Sequence, residues 1–184
     1  HGRGDLWKEL AGNYCELATC LRHLDRVDEA LKCCDEARNA MDCYPESMRN
    51  DRYYYDDYVI LTNHAIVLAR AEQNEEAASQ FAAAVSVLET VSDAFPADKL
   101  HRVKSQAAFN LGTMLMEQGR WKDAVEALRL GVRKSPDDVA LRSNLATALE
   151  RMGNRTEALA ELEAVLAREP ANPQVLFNRA VTLF

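Results

Sequence analysis

The sequence is poor in the residues that make turns and strands. Only 7 glycines and 5 prolines occur among its 184 residues, which argues against a strand-and-turn architecture and against a long disordered linker. Alanine, leucine, glutamate and arginine, which are strong helix formers, recur throughout. Hydrophobic residues make up 48% of the chain, which is enough to bury a core. The composition therefore predicts one all-α domain over residues 1–184.

Long apolar runs and an excess of basic residues are also missing. No stretch approaches the ~20 apolar residues that a membrane helix needs, and no secretory signal pattern is visible. The 29 acidic and 22 basic residues give a formal net charge of -7, which disfavours nucleic acid because phosphates are bound through lysine and arginine. We therefore expect no membrane insertion and no nucleic acid partner, and a neutral or basic partner is mildly favoured.

Cysteine-based metal motifs are absent. The cysteines form no CxxC pair, and no ligand spacing typical of zinc sites is visible. They are Cys15, Cys20, Cys33, Cys34 and Cys43. We expect these cysteines to be reduced and partly buried, and to bind no metal. We therefore expect the protein to lie in the cytoplasm or another reducing intracellular compartment and to need no cofactor. A redox or metal role stays an alternative, and the adjacent Cys33 and Cys34 are the pair to test for it.

Motifs for catalysis are absent as well. No GxSxG, phosphate-binding loop or HExxH sequence occurs, and the charged residues are spread as solvated helix faces. We therefore predict that the chain is not an enzyme. Because it starts at His1 rather than at a methionine, we expect a fragment of a longer protein. One enzyme-related alternative remains, which is a substrate-recruiting arm whose catalytic domain lies outside this chain.

An internal repeat is the main feature that the sequence does contain. A pattern of large, small, turn and apolar residues around Ala124 recurs around Ala158, with a period of about 34 residues. The matched pairs are Leu111 and Leu145, Gly112 and Ala146, Leu115 and Leu149, Gly119 and Gly153, Leu128 and Leu162, and Pro136 and Pro170. A small residue lets two helices approach closely, a glycine can turn the chain with a left-handed backbone, and a proline ends the unit.

This pattern resembles the tetratricopeptide repeat (TPR). The resemblance implies a right-handed α-solenoid of antiparallel helix pairs, each with a helix A and a helix B. Further copies around Ala30 and Ala77 carry polar residues at the turn, at Asp25 and at Gln73–Asn74. We predict four hairpins and one extra C-terminal helix, with repeats at about 11–44, 58–91, 105–138 and 139–172 and a partial repeat at 173–184.

The spacing of the repeats is uneven. The interval between successive helix-B alanines is the same over the first three units and shorter between the third and the fourth. The first two units therefore each carry about 13 additional residues, which corresponds to some three and a half turns of helix. We expect these residues to extend the helices at about 40–57 and 91–104, with both flanking helices lengthened around short loops at Pro45 and Pro96.

Asparagine recurs at one place in helix A. Asn63, Asn110 and Asn144 each precede their helix-B alanine by the same interval, and Asn178 takes this place in the partial repeat. The resemblance implies that the A helices line a concave groove. The asparagines resemble the ladder in the TPRs of O-linked N-acetylglucosamine transferase and of kinesin light chain, which implies that they hold a peptide backbone through their amides. In the alternative interpretation, they only form hydrogen bonds to neighbouring helices.

The other groove places indicate an extended protein or peptide partner. They hold small or polar residues with apolar spots, namely Thr62, Ile66, Phe109, Thr113 and Thr147. Such a lining suits an extended segment with one or two apolar anchors, as in a scaffold or adaptor. The chaperone-binding type of TPR binds a carboxylate with basic residues at fixed places in helix A. That type is disfavoured because this sequence has no basic residue at those places.

Two further surfaces have open interpretations. A cluster of tyrosines either forms an interface patch or packs the helix extensions together; it consists of Tyr53, Tyr54, Tyr55 and Tyr58. The open C-terminal helix carries Leu176, Ala180 and Leu183, which ordinarily stack on a following helix. A structural module that self-associates, such as a homodimer formed through this helix, is therefore the second hypothesis of function.

Overall fold

Nine α-helices and one short 3-10 helix make up the part of the chain that the structure, a computed structural model, describes, which is residues 3–92 and 96–183. The helices are α1 Arg3–His23, α2 Val27–Asp42, α3 Asp51–Arg70, α4 Asn74–Glu89, α5 Ala97–Glu117, α6 Trp121–Lys134, α7 Val139–Arg151, α8 Arg155–Leu166 and α9 Pro173–Leu183. The 3-10 helix Glu46–Met48 lies between α2 and α3. The prediction of an all-α helical repeat, with four hairpins and an extra C-terminal helix, is confirmed.

Contacts group the helices into two compact units. The first unit, His1–Ala97, holds α1 to α4, and the second, Asp98–Phe184, holds nearly all of α5 and the helices α6 to α9. In the first unit, α1 packs on α2 and on α3, and α3 packs on α4. In the second, α7 packs on α6 and α8, and α9 packs on α8. None of the helices in the described part of the chain is long and apolar enough to cross a membrane.

The extra residues of the first units lengthen mainly the A helices. Helices α3 and α5 have 20 and 21 residues, whereas α7 has 13. The B helices differ less, since α2 and α4 have 16 residues each and α6 and α8 have 14 and 12. The expected lengthening is therefore unequal, and it adds about two turns to each long A helix.

All four hairpin turns use one conformation. A single residue with a positive φ angle follows each A helix: Asp25 at 59°, Glu72 at 61°, Gly119 at 71° and Gly153 at 80°. The next backbone N–H then bonds five residues back, as from Gln73 to the carbonyl of Leu68 at 2.9 Å, which satisfies a carbonyl at the helix end. The turn of the second hairpin was predicted at Gln73–Asn74, and that placement is wrong by one residue because Glu72 adopts the left-handed conformation.

Side chains that accept hydrogen bonds fix where three helices begin. The Asn50 oxygen accepts from the Tyr53 N–H at 3.1 Å, and the Asp138 carboxylate accepts from the Leu141 N–H at 3.0 Å. The Asn172 oxygen accepts from the Val175 N–H at 3.2 Å. Each of these bonds satisfies one of the free N–H groups in the first turn of its helix.

Small residues allow the close helix crossings. A Cβ atom at Gly112 would lie 2.5 Å from the Leu128 side chain, and one at Gly131 would lie 2.6 Å from the Leu141 side chain. Leu128 is fully buried, so it cannot move aside at low cost. The prediction that Gly112 is small in order to let helix B approach is confirmed. Gly12, by contrast, has no atom within 4 Å of the position of an added Cβ.

The contrast between Gly112 and Gly12 gives a stability test. We expect Gly112→Ala to lower the free energy of unfolding by about 1–2 kcal/mol, because overpacking outweighs the gain in helix propensity. Gly12→Ala has the same gain without a clash, and we expect it to raise the free energy of unfolding by about 0.5–1 kcal/mol. Urea unfolding followed by circular dichroism measures both variants, and a change of the same sign in both would contradict this packing.

Candidate functional site

A concave surface lies on the A-helix side of the first unit, between α1 and α3. We call it the α1/α3 groove, and its volume is about 850 Å³. Helix α1 contributes a row that includes Gly12 and Glu16, and α3 contributes a row that includes Val59 and Asn63. Residues three or four apart share one face of a helix, which is why each helix presents a continuous row to the groove. Met41 of α2 lies at its base.

The groove combines an apolar base with a charged rim. Cys15, Met41 and Ile60 are buried side chains at its base. At the rim, the Lys8 Nζ lies 3.2 Å from the Asp56 carboxylate and joins α1 to α3. The Arg52 Nε lies 3.0 Å from the same carboxylate. Asp56 therefore neutralises both cations of the rim in part.

The carboxylates on the α1 side of the groove are not neutralised in this way. Glu9 and Glu16 are exposed, and both line the groove. Within residues 6–92 and 99–183, neither forms an ion pair with a lysine or arginine. The α1 wall thus presents two free negative charges to whatever enters the groove.

Asn63 joins the two walls of the groove. Its Nδ2 donates a hydrogen bond to the Cys15 Sγ at 2.7 Å, from α3 to α1. Burial raises the pKa of the Cys15 thiol, and the bond from Asn63 offsets that rise in part. The thiol therefore stays protonated at neutral pH and acts as a packing partner rather than as a nucleophile.

In the second unit, one predicted asparagine also reaches a neighbouring A helix. The Asn144 Nδ2 of α7 donates to the Thr113 Oγ1 of α5 at 3.2 Å. The Asn110 oxygen accepts from Gln106 at 2.9 Å within its own helix. The Asn178 oxygen likewise accepts from Gln174 at 3.3 Å. Bonding between helices, the alternative to the ladder, thus holds at Asn63 and Asn144, while the ladder itself stays a prediction.

The remaining predicted groove residues are half-buried. Thr62 and Ile66 lie on α3 but do not line the α1/α3 groove. Phe109 lies on α5 beside Asn110. The Thr147 hydroxyl donates to the carbonyl of Ser143 at 3.0 Å within α7. Among the predicted peptide-binding residues, Asn63 lines the α1/α3 groove, and Asn144 and Thr113 are joined by a hydrogen bond.

The tyrosines divide into packed and accessible members. Tyr53 is 6% exposed and Tyr58 is 7% exposed, and the Tyr53 ring lies 5.0 Å from the ring of Tyr44. Burial also raises the pKa of Tyr58. Packing is therefore the role of these two side chains. Tyr54 is half-buried against the same cluster, whereas Tyr55 lines the groove, with the Arg52 guanidinium 5.8 Å from its ring centre.

Several groove residues were missed from the sequence. Lys8, Arg52, Tyr55 and Asp56 line the groove, and all four precede the part of helix A that the repeat pattern covers. Only Tyr55 was singled out, as part of the tyrosine run. The longer spacing between Ala30 and Ala77 is the signal that could have pointed to Arg52 and Asp56, because its extra residues lengthen α3 ahead of the repeat pattern. Lys8 precedes Ala30, so the spacing carries no signal for it.

Solved structures resemble the chain in fold. YrrB, described as a TPR protein with an unusual peptide-binding site, shares 22% identity with a TM-score of 0.65 over 92% of this chain and 74% of its own. MamA of Desulfovibrio magneticus RS-1 shares 15% identity with a TM-score of 0.69, over 94% and 82%. A putative kinesin light chain of Podospora anserina with TPR-like repeats shares 19%, with a TM-score of 0.70 over 96% and 85%.

Comparison of sequences identifies the family. No curated protein matches the chain. Two family profiles, both described as tetratricopeptide repeat, match residues 62–139 and 115–176 and together cover more than half of it. These matches fall on the hairpins whose turns and crossings are described above. The chain therefore belongs to the tetratricopeptide repeat family.

Proposed function

We propose that the chain is a protein-interaction scaffold that binds an extended segment of a partner protein along its A helices. The observation that carries this proposal is the α1/α3 groove, a concave surface of about 850 Å³ with an apolar base and a polar rim. Its volume is within the range typical of ligand sites, roughly 300–1,000 Å³. TPR repeats are in general protein-interaction modules, and the peptide-binding site described for YrrB is in keeping with this role.

The dimensions of the groove suit an extended chain. Along α1 its lining runs from Lys8 to Cys20, which corresponds to about 18 Å of helix at 1.5 Å per residue. An extended segment rises about 3.3 Å per residue, so roughly five residues would occupy this length. The apolar base would accept one or two apolar side chains, and the rim would bond the polar ones.

Asn63 is suited to hold the backbone of such a segment. An amide side chain has two N–H donors and an acceptor oxygen, and the bond to Cys15 uses one of the donors. The acceptor oxygen is then available to a backbone N–H of the bound segment. Asn144 uses its donor in the same way towards Thr113. Contacts of this kind do not depend on the side chains of the partner, which is the property a general peptide scaffold requires.

Removing the amides should weaken binding without disturbing the fold. We expect Asn63→Ala to lower affinity by about 3- to 10-fold, and Asn110→Ala with Asn144→Ala to lower it by roughly 10- to 100-fold, since each lost hydrogen bond contributes about 0.5–1.5 kcal/mol. An array of random-sequence dodecapeptides, probed with the labelled chain, measures this change. Asn39→Ala on the exposed side of α2 is the matched control and should bind as the wild type does. Wild-type affinity in both the Asn63 variant and the Asn110 and Asn144 double variant would contradict the proposal.

Self-association is the second candidate function, and the exposed apolar side chains of α9 favour it. Phe177 is 63% exposed, and Leu176, Val181 and Leu183 are also exposed. Such faces are normally covered by the next repeat in a stack, so a second copy is a suitable partner for homodimer formation. A place as the recruiting arm of a larger enzyme would use the same binding activity and remains a proposal, as does a reducing compartment for the five free cysteines.

Light scattering over a dilution series tests the self-association. If α9 mediates a homodimer, the wild-type mass should fall from that of a dimer to that of a monomer on dilution. The double variant Phe177→Ser with Val181→Ser should be monomeric at every concentration, because it removes apolar side chains that are exposed in the monomer and would be buried in the dimer. Leu24→Ser, at the exposed turn after α1, is the control for loss of an unrelated apolar side chain. A monomer at every concentration would exclude this candidate.

A further inference from the structure

Gly12 is a glycine that the described fold does not require. Gly112 and Gly131 have no room for a Cβ, and Gly119 and Gly153 have positive φ angles. Gly12 has neither constraint, because it lies inside α1 with open space beside it. Glycine weakens a helix interior, and a frequent reason for keeping one is the close approach of a ligand to the backbone. Gly12 lines the α1/α3 groove, where such an approach is possible.

Two free carboxylates flank Gly12 on the same face of α1. Glu9 precedes it by three residues and Glu16 follows it by four, so the two lie about one helical turn to either side, roughly 4.5 and 6 Å along the axis. Both line the groove and are exposed. The nearby cations Lys8 and Arg52 are engaged with Asp56 on the rim of the groove. A positive charge placed over Gly12 would therefore meet two carboxylates that have no lysine or arginine partner among the residues whose side chains the structure describes.

The charge of the first unit acts in the same direction. Residues 1–97 contain 18 acidic and 9 basic side chains, a formal charge of -9. Residues 98–184 contain 11 acidic and 13 basic side chains, a formal charge of +2. The unit that holds the groove is thus the acidic part of the chain, and its field attracts basic segments before contact.

We propose, on the basis of the binding function proposed above, that the groove selects an extended segment carrying an arginine. The apolar stem of the arginine lies on the bare backbone at Gly12, and its guanidinium lies between the carboxylates of Glu9 and Glu16. The planar guanidinium has five N–H donors, which allows it to bond both carboxylates at once. A glutamine of the same segment would retain the stem contact and lose the charge-assisted bonds.

Peptide pools that differ at one position test this selection. Three pools of otherwise identical dodecapeptides, random in uncharged residues, carry a fixed central arginine, glutamine or glutamate. We expect the arginine pool to bind the full chain about tenfold more tightly than the glutamine pool, and the glutamate pool to bind most weakly. The preference for arginine should shrink as the salt concentration rises, because the carboxylates are exposed.

Matched variants separate the site from the general field of the unit. Glu9→Gln with Glu16→Gln should abolish the preference for arginine, so that the arginine pool binds no more tightly than the glutamine pool. Asp28→Asn with Glu36→Gln on α2 changes the net charge by the same amount away from the groove and should keep the preference. Gly12→Leu should weaken the arginine pool at least tenfold while the thermal midpoint stays equal or rises, whereas Asn13→Leu outside the groove should leave binding unchanged.

The outcomes distinguish this inference from the function on which it rests. Equal binding of the arginine and glutamine pools, or an equal loss in both double variants, would overturn the arginine site and leave groove binding intact. Wild-type binding by Gly12→Leu would overturn the close approach at Gly12. If no pool binds, the proposed peptide-binding function fails, and the arginine site fails with it.

Discussion

Each hairpin of the chain depends on a close crossing of helix A and helix B at a side chain no larger than alanine. Ala30, Ala77, Ala124 and Ala158 are fully buried, with an exposed fraction of 0%. At Gly112 even a single added carbon would meet Leu128. Interiors packed this tightly tolerate little change in volume. The crossing fixes each hairpin as a unit, and the A helices of neighbouring hairpins can then pack side by side, as α1 and α3 do.

The length of the A helices decides what that arrangement can bind. In the first unit, α1 and α3 have 21 and 20 residues, and their added turns carry Lys8, Arg52, Tyr55 and Asp56 into the wall of the groove. The ion pair between Lys8 and Asp56 joins the two walls at the rim, while Asn63 and Cys15 join them further along. Because the two walls are joined at both places, the groove needs little reorganisation when a partner binds. The free-energy cost of ordering its side chains on binding is therefore low. Of the three carboxylates in its lining, Glu9 and Glu16 on α1 form no ion pair with the described part of the chain.

Much of the fold could be predicted from the sequence, because packing and turn geometry leave local signals. The repeated spacing of small and turn residues predicts the hairpins correctly. It is seen at Gly112, Gly119 and Ala124 and again at Ala146, Gly153 and Ala158. The predicted position of the second turn is wrong by one residue, because Glu72 is followed by other polar residues and no glycine marks which of them takes the positive φ angle. The groove lining could not be predicted in full, since Lys8 and Asp56 acquire their roles from a contact between two helices that are distant in sequence. The asparagines show the same limit, because only the structure reveals that Asn63 bonds Cys15 and Asn144 bonds Thr113.

Nuclear magnetic resonance can show directly whether a peptide bound to the full chain lies in the α1/α3 groove. Intermolecular Overhauser contacts, recorded with the tightest-binding peptide from the array, report which protons of the chain lie close to it. We expect contacts from the peptide to the α-protons of Gly12 and to the side chains of Val59 and Asn63, which line the two walls of the groove. Contacts confined to the B helices or to α9, with none in the groove, would contradict it.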